Sequence, residues 1–318
     1  AAVITTMRTG KELPRACVRS LHASRHTIAN SREAARILAD RHALPAEKIT
    51  VIHNAVVFPP GGPDVPPVDE RTTSVPPAEK RGTGVPPVDG APRRNTSARA
   101  PSSSTPGSGC SGLNAPAPRP LILLCVAMFR PEKNHRALIE LAARLPRPEH
   151  PERAGLHYSF PIPLVFLSEI PDWQLWLAGD GPERAPCEAL AVRLGLAGRV
   201  RFTGFQADPT PLYRAADIAL LASTRESLPN FLVEAHAHGL PSVACAVGGV
   251  AECGGLTVPP CDADAFLAAL LPLMRDPARR ARESARVAAH AREHFSPAAR
   301  CAAHLRLFER LLERRGAA

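Results

Sequence analysis

The stretch ESLPNFLVEAHAHGLPSVACAVGGVAE, residues 226–252, runs in order through a polar turn, a helix, a strand and a glycine turn. Pro229 precedes the helix, which is predicted over residues 230–238, and the strand follows as the apolar run PSVACAV. Two acids, Glu226 and Glu234, lie eight positions apart, one before the helix and one inside it. Helices that alternate with buried strands are typical of a parallel sheet, so the stretch predicts an α/β fold and raises the question of what the two acids do.

The same alternation of strands and helices extends from residue 120 to residue 282. Apolar runs such as LILLCVAMF suit strands buried on both faces, and amphipathic segments such as HRALIELAARL suit the helices that cover them. A proline-broken insertion interrupts this alternation at about residues 147–171. We therefore predict one complete Rossmann-like, doubly wound parallel domain over 120–282.

The regions on either side of this domain have a different character. Residues 1–58 contain the strand-like run HTIAN, a helix that follows the N-cap Ser31, and the β-branched run KITVIHNAV, so we interpret them as the remnant of a second domain. Fifteen of the 35 prolines lie between 59 and 120, and residues 59–119 contain too little apolar sequence to offset their ordering entropy. We predict that 59–119 are a disordered Pro-rich linker or insertion, and that 283–318 form Arg-rich C-terminal helices.

Composition excludes several classes of protein. The net charge of +9 is spread over many segments without a basic-aromatic platform, so we expect no nucleic-acid partner. The eight cysteines include no C-x-x-C pair, which indicates reduced thiols rather than a disulfide framework or a zinc site. We find no apolar run near the ~18 residues of a membrane span and no signal peptide at the start, so we expect a cytoplasmic protein.

The turns that follow the strands hold the residues able to do chemistry. They are RPEKN (130–134), GDGP (179–182), GFQ (204–206), STRESLPN (223–230) and VGG (247–249). Since an open parallel sheet binds its ligand at the carboxyl ends of the strands, we expect these five turns to converge on one crevice. Arg130 and Lys133 supply positive charge, glycine turns expose backbone N–H groups, and two carboxylates can accept hydrogen bonds from hydroxyls. This combination suits a ligand that carries both phosphate and sugar, such as a nucleotide sugar.

Each of these features also has an ordinary structural interpretation. Taken singly, Arg130 and Lys133 are solvated turn charges, and Glu226 is a loop acid. Glu234 lies in a helix that should be partly buried, where an acid usually has a partner. His236 and His238 face apart on a helix, and the DAD sequence at 262–264 starts one, so we expect N-capping there and no metal site.

Taken together and in this order, PEKNH, AGDGPE, RFTGF, ESLPNFLVEAHAHGLP and VGGVAE resemble the C-terminal half of retaining GT-B glycosyltransferases of family 4, which include many bacterial cell-envelope enzymes. Residues 1–58 are similar to the end of that family's N-terminal domain. The resemblance implies a GT-B fold and a hexosyltransferase-type enzyme. Such an enzyme transfers sugar from a nucleoside diphosphate sugar to an acceptor with retention of anomeric configuration, and without a metal or other cofactor.

The resemblance also implies roles for individual residues. Glu226 would face the donor sugar, and Lys133 and Arg130 would stabilise the departing diphosphate. Glu234 would accept hydrogen bonds from the ribose hydroxyls. The other residues expected around the donor are Gly181, Gly204, Phe205, Gln206, Ser227, Leu228, Asn230, Phe231, Leu232 and Gly249.

The chain departs from the family pattern at several positions. Ala127-Met128 stand where the family commonly has Gly-Arg, and we expect Arg130 to substitute for that arginine. Ser227 replaces a glycine, and Cys253-Gly254-Gly255 shortens the loop after VGGVAE. Because only the last elements of the acceptor-side domain are recognisable, we also expect an N-terminally truncated chain with poor turnover.

Three alternatives to a glycosyltransferase stay open at this point. The first is a donor-half fragment that binds nucleotide sugar without efficient transfer. The second is a GT-B relative that epimerises a nucleotide sugar, which needs an additional acid-base set. The third is a nicotinamide-dependent oxidoreductase, which needs a G-x-G-x-x-G that we do not find. For the enzyme, we expect a glycan or lipid-linked acceptor and, by analogy, peripheral contact of the Arg-rich C-terminal helices with the inner face of the membrane.

Overall fold

The computed structural model describes residues 4–7, 13–59, 119–146 and 170–316 of the 318-residue chain. The predicted linker (59–119) and the predicted insertion (147–171) lie almost wholly outside the described residues. Within the described residues, no helix combines the length and the apolar character needed to span a membrane.

The N-terminal segment, residues 4–59, contains a three-stranded parallel sheet in the order β1-β2-β3. Its elements are β1 (Ile4–Met7), α1 (Arg15–Ala23), β2 (His26–Ala29), α2 (Arg32–His42), a 3-10 turn (Ala46–Lys48) and β3 (Ile49–Val51). The predictions of β2, α2 and the N-cap are confirmed, since Ser31 Oγ accepts the N–H of Ala34 at 3.1 Å. Strand β1 and helix α1 were not predicted, and β3 is shorter than the predicted strand over 48–56.

The C-terminal part, from residue 119 onward, alternates strands and helices as predicted. Its elements are β4 (Leu121–Val126), α3 (His135–Arg144), β5 (Trp173–Ala178), α4 (Arg184–Arg193), β6 (Val200–Gly204), α5 (Thr210–Ala215), β7 (Ile218–Leu221), α6 (Asn230–Ala237), β8 (Ser242–Cys245), β9 (Leu256–Val258), α7 (Ala263–Arg275), α8 (Pro277–Phe295) and α9 (Pro297–Gly316). Helix α8 crosses the domain boundary that we expected at 282/283.

The six strands form one parallel sheet in the order β6-β5-β4-β7-β8-β9. The chain first builds the sheet outward from β4 in one direction and then returns to build it in the other. Strands β4 and β7 are therefore neighbours, with Leu123 opposite Ile218 and Leu124 opposite Ala219. Ligands of doubly wound folds bind at the carboxyl edge where the strand order reverses, so the loops after β4 and β7 are where a site is expected.

The core of this sheet explains the continuous apolar runs of the sequence. All of β7 and β8 and nearly all of β4 and β5 are buried, because helices cover both faces of the sheet. Leu123 and Leu124 of β4 and Trp173 and Leu175 of β5 have no exposed side-chain surface. The strands themselves therefore offer few polar side chains, and those near the carboxyl edge of the sheet come from the turns that follow the strands.

The last helices return to pack against the N-terminal segment. Leu307 of α9 is 1% exposed and contacts Ile28 of β2 and Ile52, which follows β3. The backbone N–H of Val56 also donates to the carbonyl of Phe295 at the end of α8, at 2.9 Å. The segment thus buries apolar surface against the C-terminal helices, which offsets the smallness of its own core.

We expect Leu307→Ala to loosen the N-terminal segment. Removing a buried leucine side chain leaves a cavity, and the free energy of unfolding should fall by about 2–5 kcal/mol, toward the lower end because the cluster is small. The matched control is Leu305→Ala on the same helix, where the side chain is 60% exposed. Denaturant unfolding of the two variants tests this, and equal stability of both would contradict the packing described here.

Candidate functional site

The five turns lie side by side along the carboxyl edge of the sheet, so their predicted proximity is confirmed, and their convergence on one crevice stays a prediction. Backbone hydrogen bonds join each turn to its neighbour: Gly179 N–H to Gly204 O (2.8 Å), Phe129 N–H to Asp180 O (2.9 Å), Thr224 N–H to Glu132 O (2.9 Å) and Gly249 N–H to Ser227 O (2.8 Å). The turns thus form a continuous row, with the loops after β4 and β7 at its middle.

An ion pair crosses the point where the strand order reverses. Lys133, after β4, places Nζ 2.6 Å from Oε1 of Glu226, after β7. The lysine side chain is 25% exposed and the glutamate side chain is 8% exposed. Ser223 Oγ donates to the same carboxylate oxygen at 2.7 Å. The site therefore contains a lysine whose charge is compensated by an internal carboxylate.

The turn after β4 owes its shape to local sequence. Pro131 opens a 3-10 turn over Pro131–Lys133, and Asn134 follows it in the left-handed conformation, with φ of 50°. An asparagine tolerates that conformation better than most residues. Asn134 Nδ2 also donates to the carbonyl of Ala222 at 3.3 Å, so the turn is tied to the loop after β7.

Two glycines allow the turns to approach one another. Gly248 has φ of 55°, and a Cβ at this position would collide with the backbone carbonyl of Glu226. Gly181 has φ of 149°, and a Cβ there would collide with the carbonyl of Phe129. Any other residue would be strained in conformation and would push the turns apart.

His135 is the first residue of α3 and follows the 3-10 turn that contains Lys133. Its ring stacks on Phe129, with 4.0 Å between the centroids. Burial, together with the nearby charge of Lys133, lowers the pKa of His135 to about 4. The imidazole is therefore neutral at pH 7 and adds no second cation beside the lysine.

Glu234 has a different partner from Glu226. Tyr213, on α5, donates its hydroxyl to Oε2 of Glu234 at 2.6 Å. Burial and this hydrogen bond raise the pKa of Tyr213, so the phenol keeps its proton. The expectation that an acid in this helix has a partner is confirmed. Tyr213 itself was not predicted, because it lies on another helix.

The turns toward β6 expose side chains to solvent. Phe205 is 73% exposed and follows Gly204, which has φ of 73°. Gln206 Nε2 donates to the carbonyl of Thr203 at 2.9 Å. Arg130 is also exposed, at the N-cap of the 3-10 turn.

The remaining predicted donor residues divide into two groups. The side chains of Leu228, Phe231 and Leu232 are buried in the core, so only their backbone could meet a ligand. Ser227 and Asn230 instead contact the N-terminal segment. Ser227 Oγ donates to Oδ1 of Asn30 at 2.8 Å, and Asn54 Nδ2 donates to Oδ1 of Asn230 at 3.0 Å.

His236 and the DAD sequence have structural partners. Buried His236 contacts Ser242 Oγ at 2.8 Å and the carbonyl of Cys253 at 2.9 Å, and burial lowers its pKa to about 4. Asp262 accepts the N–H of Ala265 at 2.8 Å, which confirms the N-cap. The part of the chain that the structure describes contains no group of three or more potential metal ligands.

Comparison with known proteins identifies the domain around these turns. Residues 120–276 match the family described as "Glycosyl transferases group 1". This region is a glycosyltransferase group 1 domain. All five turns lie within the match.

Curated relatives cover the same domain. The chain is 38% identical over 155 residues to the lipopolysaccharide core biosynthesis glycosyltransferase LpsD of Rhizobium meliloti, covering 47% of this chain and 45% of LpsD. It is 33% identical over 175 residues to LpsE of the same organism, covering 54% of this chain and 44% of LpsE. The chain thus spans less than half the length of these two relatives.

Solved structures show that the fold is GT-B. A glycosyltransferase from Rickettsia africae superposes with a TM-score of 0.65 at 17% identity, covering 97% of this chain and 70% of that one. Anabaena Alr3699/HepE in complex with UDP gives a TM-score of 0.64 at 17% identity, covering 98% and 72%. The predicted α/β, GT-B fold class is confirmed.

We expect Gly248→Ala to disturb the candidate site. The new Cβ would meet the Glu226 carbonyl in a left-handed conformation, at a cost of about 1–3 kcal/mol in the free energy of unfolding. Gly198→Ala is the matched control, because a Cβ there meets no atom within 4 Å. Thermal unfolding of both variants checks this, and a fully stable Gly248→Ala protein would argue against the close approach of the two loops.

Proposed function

We propose that this protein transfers a sugar from a nucleoside diphosphate sugar to a glycan or lipid-linked acceptor, with retention of anomeric configuration. The observation that carries the proposal is the Lys133–Glu226 pair at the strand reversal of a glycosyltransferase group 1 domain. The HepE structures in complex with UDP and with UDP-glucose support such a donor. LpsD and LpsE, which are named for lipopolysaccharide core biosynthesis, support a cell-envelope product.

The proposed role of Lys133 is to hold the diphosphate and to neutralise it as it departs. Its ammonium group is held at the carboxyl edge by Glu226, so a diphosphate entering the crevice competes with that carboxylate for the lysine. Negative charge grows on the leaving group as the glycosidic bond breaks, and a fixed cation stabilises that charge. Arg130, exposed on the same turn, supplies further positive charge. This chemistry requires no metal ion.

The proposed role of Glu226 follows from its surroundings. With Lys133 turned toward phosphate, Ser223 still holds one carboxylate oxygen at 2.7 Å. The carboxylate is then oriented beside the site of the transferred sugar, where it can accept hydrogen bonds from sugar hydroxyls. We assign it to sugar orientation and do not assign it as a nucleophile.

Glu234 is proposed to bind the ribose of the donor. A carboxylate can accept two hydrogen bonds from vicinal hydroxyls, and Tyr213 fixes its orientation through Oε2. The backbone of residues 227–232 and the turns with Gly181 and Gly249 would surround the phosphates and the sugar. Gly204, Phe205 and Gln206 would lie beside the base.

A second candidate function is nucleotide-sugar binding without efficient transfer. Its supporting observation is that the family match begins at residue 120 and contains all five donor-side turns. Calorimetry with UDP, GDP and ADP, together with a transfer assay, separates the two: binding with transfer supports the enzyme, and binding alone supports the second candidate. The proposed location is the cytoplasm, with contact at the inner face of the membrane where a lipid-linked acceptor would lie.

We expect Lys133→Met to weaken the binding of nucleoside diphosphates and to reduce transfer by about 100-fold, since a preorganised charge at the leaving group is lost. Lys133→Arg should retain part of both, because it keeps the charge. The matched control is Lys48→Met, which removes a partly exposed lysine of the N-terminal segment. Unchanged diphosphate affinity in a folded Lys133→Met protein would exclude the proposed role.

We expect Glu234→Gln to reduce the preference for ribose. An amide offers only one acceptor oxygen, so the ratio of affinities for UDP and 2′-deoxy-UDP should fall by about tenfold from its wild-type value. The control is Glu140→Gln, whose carboxylate pairs with Arg136 on α3. Calorimetric titration of both nucleotides measures the ratio, and an unaltered ratio would remove Glu234 from the ribose site.

A further inference from the structure

Glu252, the last residue of VGGVAE, contacts the N-terminal segment with both oxygens of its carboxylate. The backbone N–H of Arg32 donates to Oε1 at 2.9 Å and to Oε2 at 3.0 Å. His53 Nε2 lies 2.9 Å from Oε2. The glutamate side chain is only 11% exposed. One carboxylate therefore binds two separate elements of the N-terminal segment.

The position of this carboxylate is electrostatically favourable. Arg32 is the first residue of α2, so Glu252 lies at the positive end of that helix and binds an N–H group that has no partner within the helix. Burial raises the pKa of Glu252, but the hydrogen bonds from His53 and from the Arg32 N–H outweigh it, and the net pKa is lowered. Glu252 is ionised at neutral pH and acts as a charged hydrogen-bond acceptor.

The same contact region reaches the proposed donor loop, residues 223–230. Gly249, three residues before Glu252, donates its N–H to the Ser227 carbonyl, and a Cβ at Gly249 would meet that carbonyl. Ser227 in turn donates to Asn30, which lies two residues before Arg32. The donor loop, the glycine turn and the start of α2 are thus in direct contact.

We propose that Glu252 is a positioning residue: by binding the start of α2 and His53, it holds the N-terminal segment against the donor loop and keeps Glu226 and Ser227 in place. This inference rests on the proposed function for its effect on transfer. The positioning itself is a property of the chain and can be measured without a substrate.

The N-terminal segment also contacts α9, through the packing of Leu307 and through Arg25 Nη2, which donates to the carbonyl of Leu311 at 2.8 Å, but these contacts are not made to the donor loop. The Ser227–Asn30 and Asn54–Asn230 hydrogen bonds join neutral groups, whereas Glu252 brings a charge into a mostly buried position. Hydrogen bonds that involve a charged group contribute more than neutral ones. Losing the carboxylate should therefore loosen the start of α2 and the donor loop, residues 223–230, together.

The first experiment compares hydrogen exchange in Glu252→Gln and in the control Glu140→Gln. The glutamine would place an amide NH₂ group where one carboxylate oxygen faces the Arg32 N–H and His53, and would so weaken these hydrogen bonds. Amide exchange at the start of α2 and in residues 223–230 should therefore become about tenfold faster. Glu140→Gln should leave both regions as in the wild type. Faster exchange at α2 with an unchanged donor loop would overturn the proposal, as would no change in either.

A second variant removes a backbone hydrogen-bond donor of Glu252 and leaves Glu252 itself unchanged. Arg32→Pro deletes the Arg32 N–H group that the carboxylate binds, together with the arginine side chain, and proline is well tolerated at the first position of a helix. Ser31 already has an extended backbone, with φ of −154° and ψ of 160°, which suits a residue before proline. The control is Arg32→Ala, which keeps the N–H group. Arg32→Pro should reproduce the faster exchange of the donor loop, and equal exchange in the two variants would overturn the proposal.

Kinetics separate a positioning role from a merely structural one. In Glu252→Gln, we expect kcat to fall by about 10- to 100-fold, because a small misplacement of reacting groups slows the reaction strongly. The affinity of the variant for UDP should change by less than about threefold, because the residues proposed to bind UDP are still present. Loss of UDP affinity in parallel with kcat, or unchanged kcat, would overturn the positioning role. If the wild type neither binds nucleotide nor transfers sugar, the proposed function fails, and the exchange experiments still decide whether Glu252 positions the loop.

Discussion

The candidate site depends on one interaction, the Lys133–Glu226 ion pair at the point where the strand order of the sheet reverses. Lys133 and Glu226 come from loops that follow adjacent strands, and they meet because β4 and β7 are parallel neighbours. A partly buried ion pair is costly in desolvation unless further hydrogen bonds satisfy it, and Ser223 supplies one. The charge of Lys133 is compensated internally, so an anion that binds Lys133 would have to displace the carboxylate of Glu226.

The close contact of the loops sets conditions on the rest of the structure. Glycines stand where one backbone meets the next, as at Gly181 and Gly248, and Asn134 turns the chain in a left-handed conformation. On the other side, the donor loop contacts Asn30 and the VGG turn leads to Glu252, which binds the start of α2. The charges at the strand reversal and the packing of the N-terminal segment are consequently parts of one contact network.

Much of the fold was predictable because most of its strands and helices can be recognised from short stretches of sequence. Buried parallel strands appear as continuous apolar runs, and the N-caps Ser31 and Asp262 mark their helices. Strand β1 and helix α1 were missed because they are short, with four and nine residues, and because α1 follows Pro14 without a side-chain N-cap to mark its start. The return of α9 onto the N-terminal segment was also not predicted, since its Leu307 meets Ile28 only after the whole domain has folded.

The sequence by itself determined which residues stand in the turns, in what order, and therefore which charges and glycines would gather at the carboxyl edge. It did so because parallel strands bring their ends to one edge whatever the intervening chain does. Only the tertiary structure decided the partners of those residues: Lys133 for Glu226, 93 positions away, and the backbone of Arg32 for Glu252, 220 positions away. Such pairings depend on how separate elements pack in space, and no local sequence pattern specifies that.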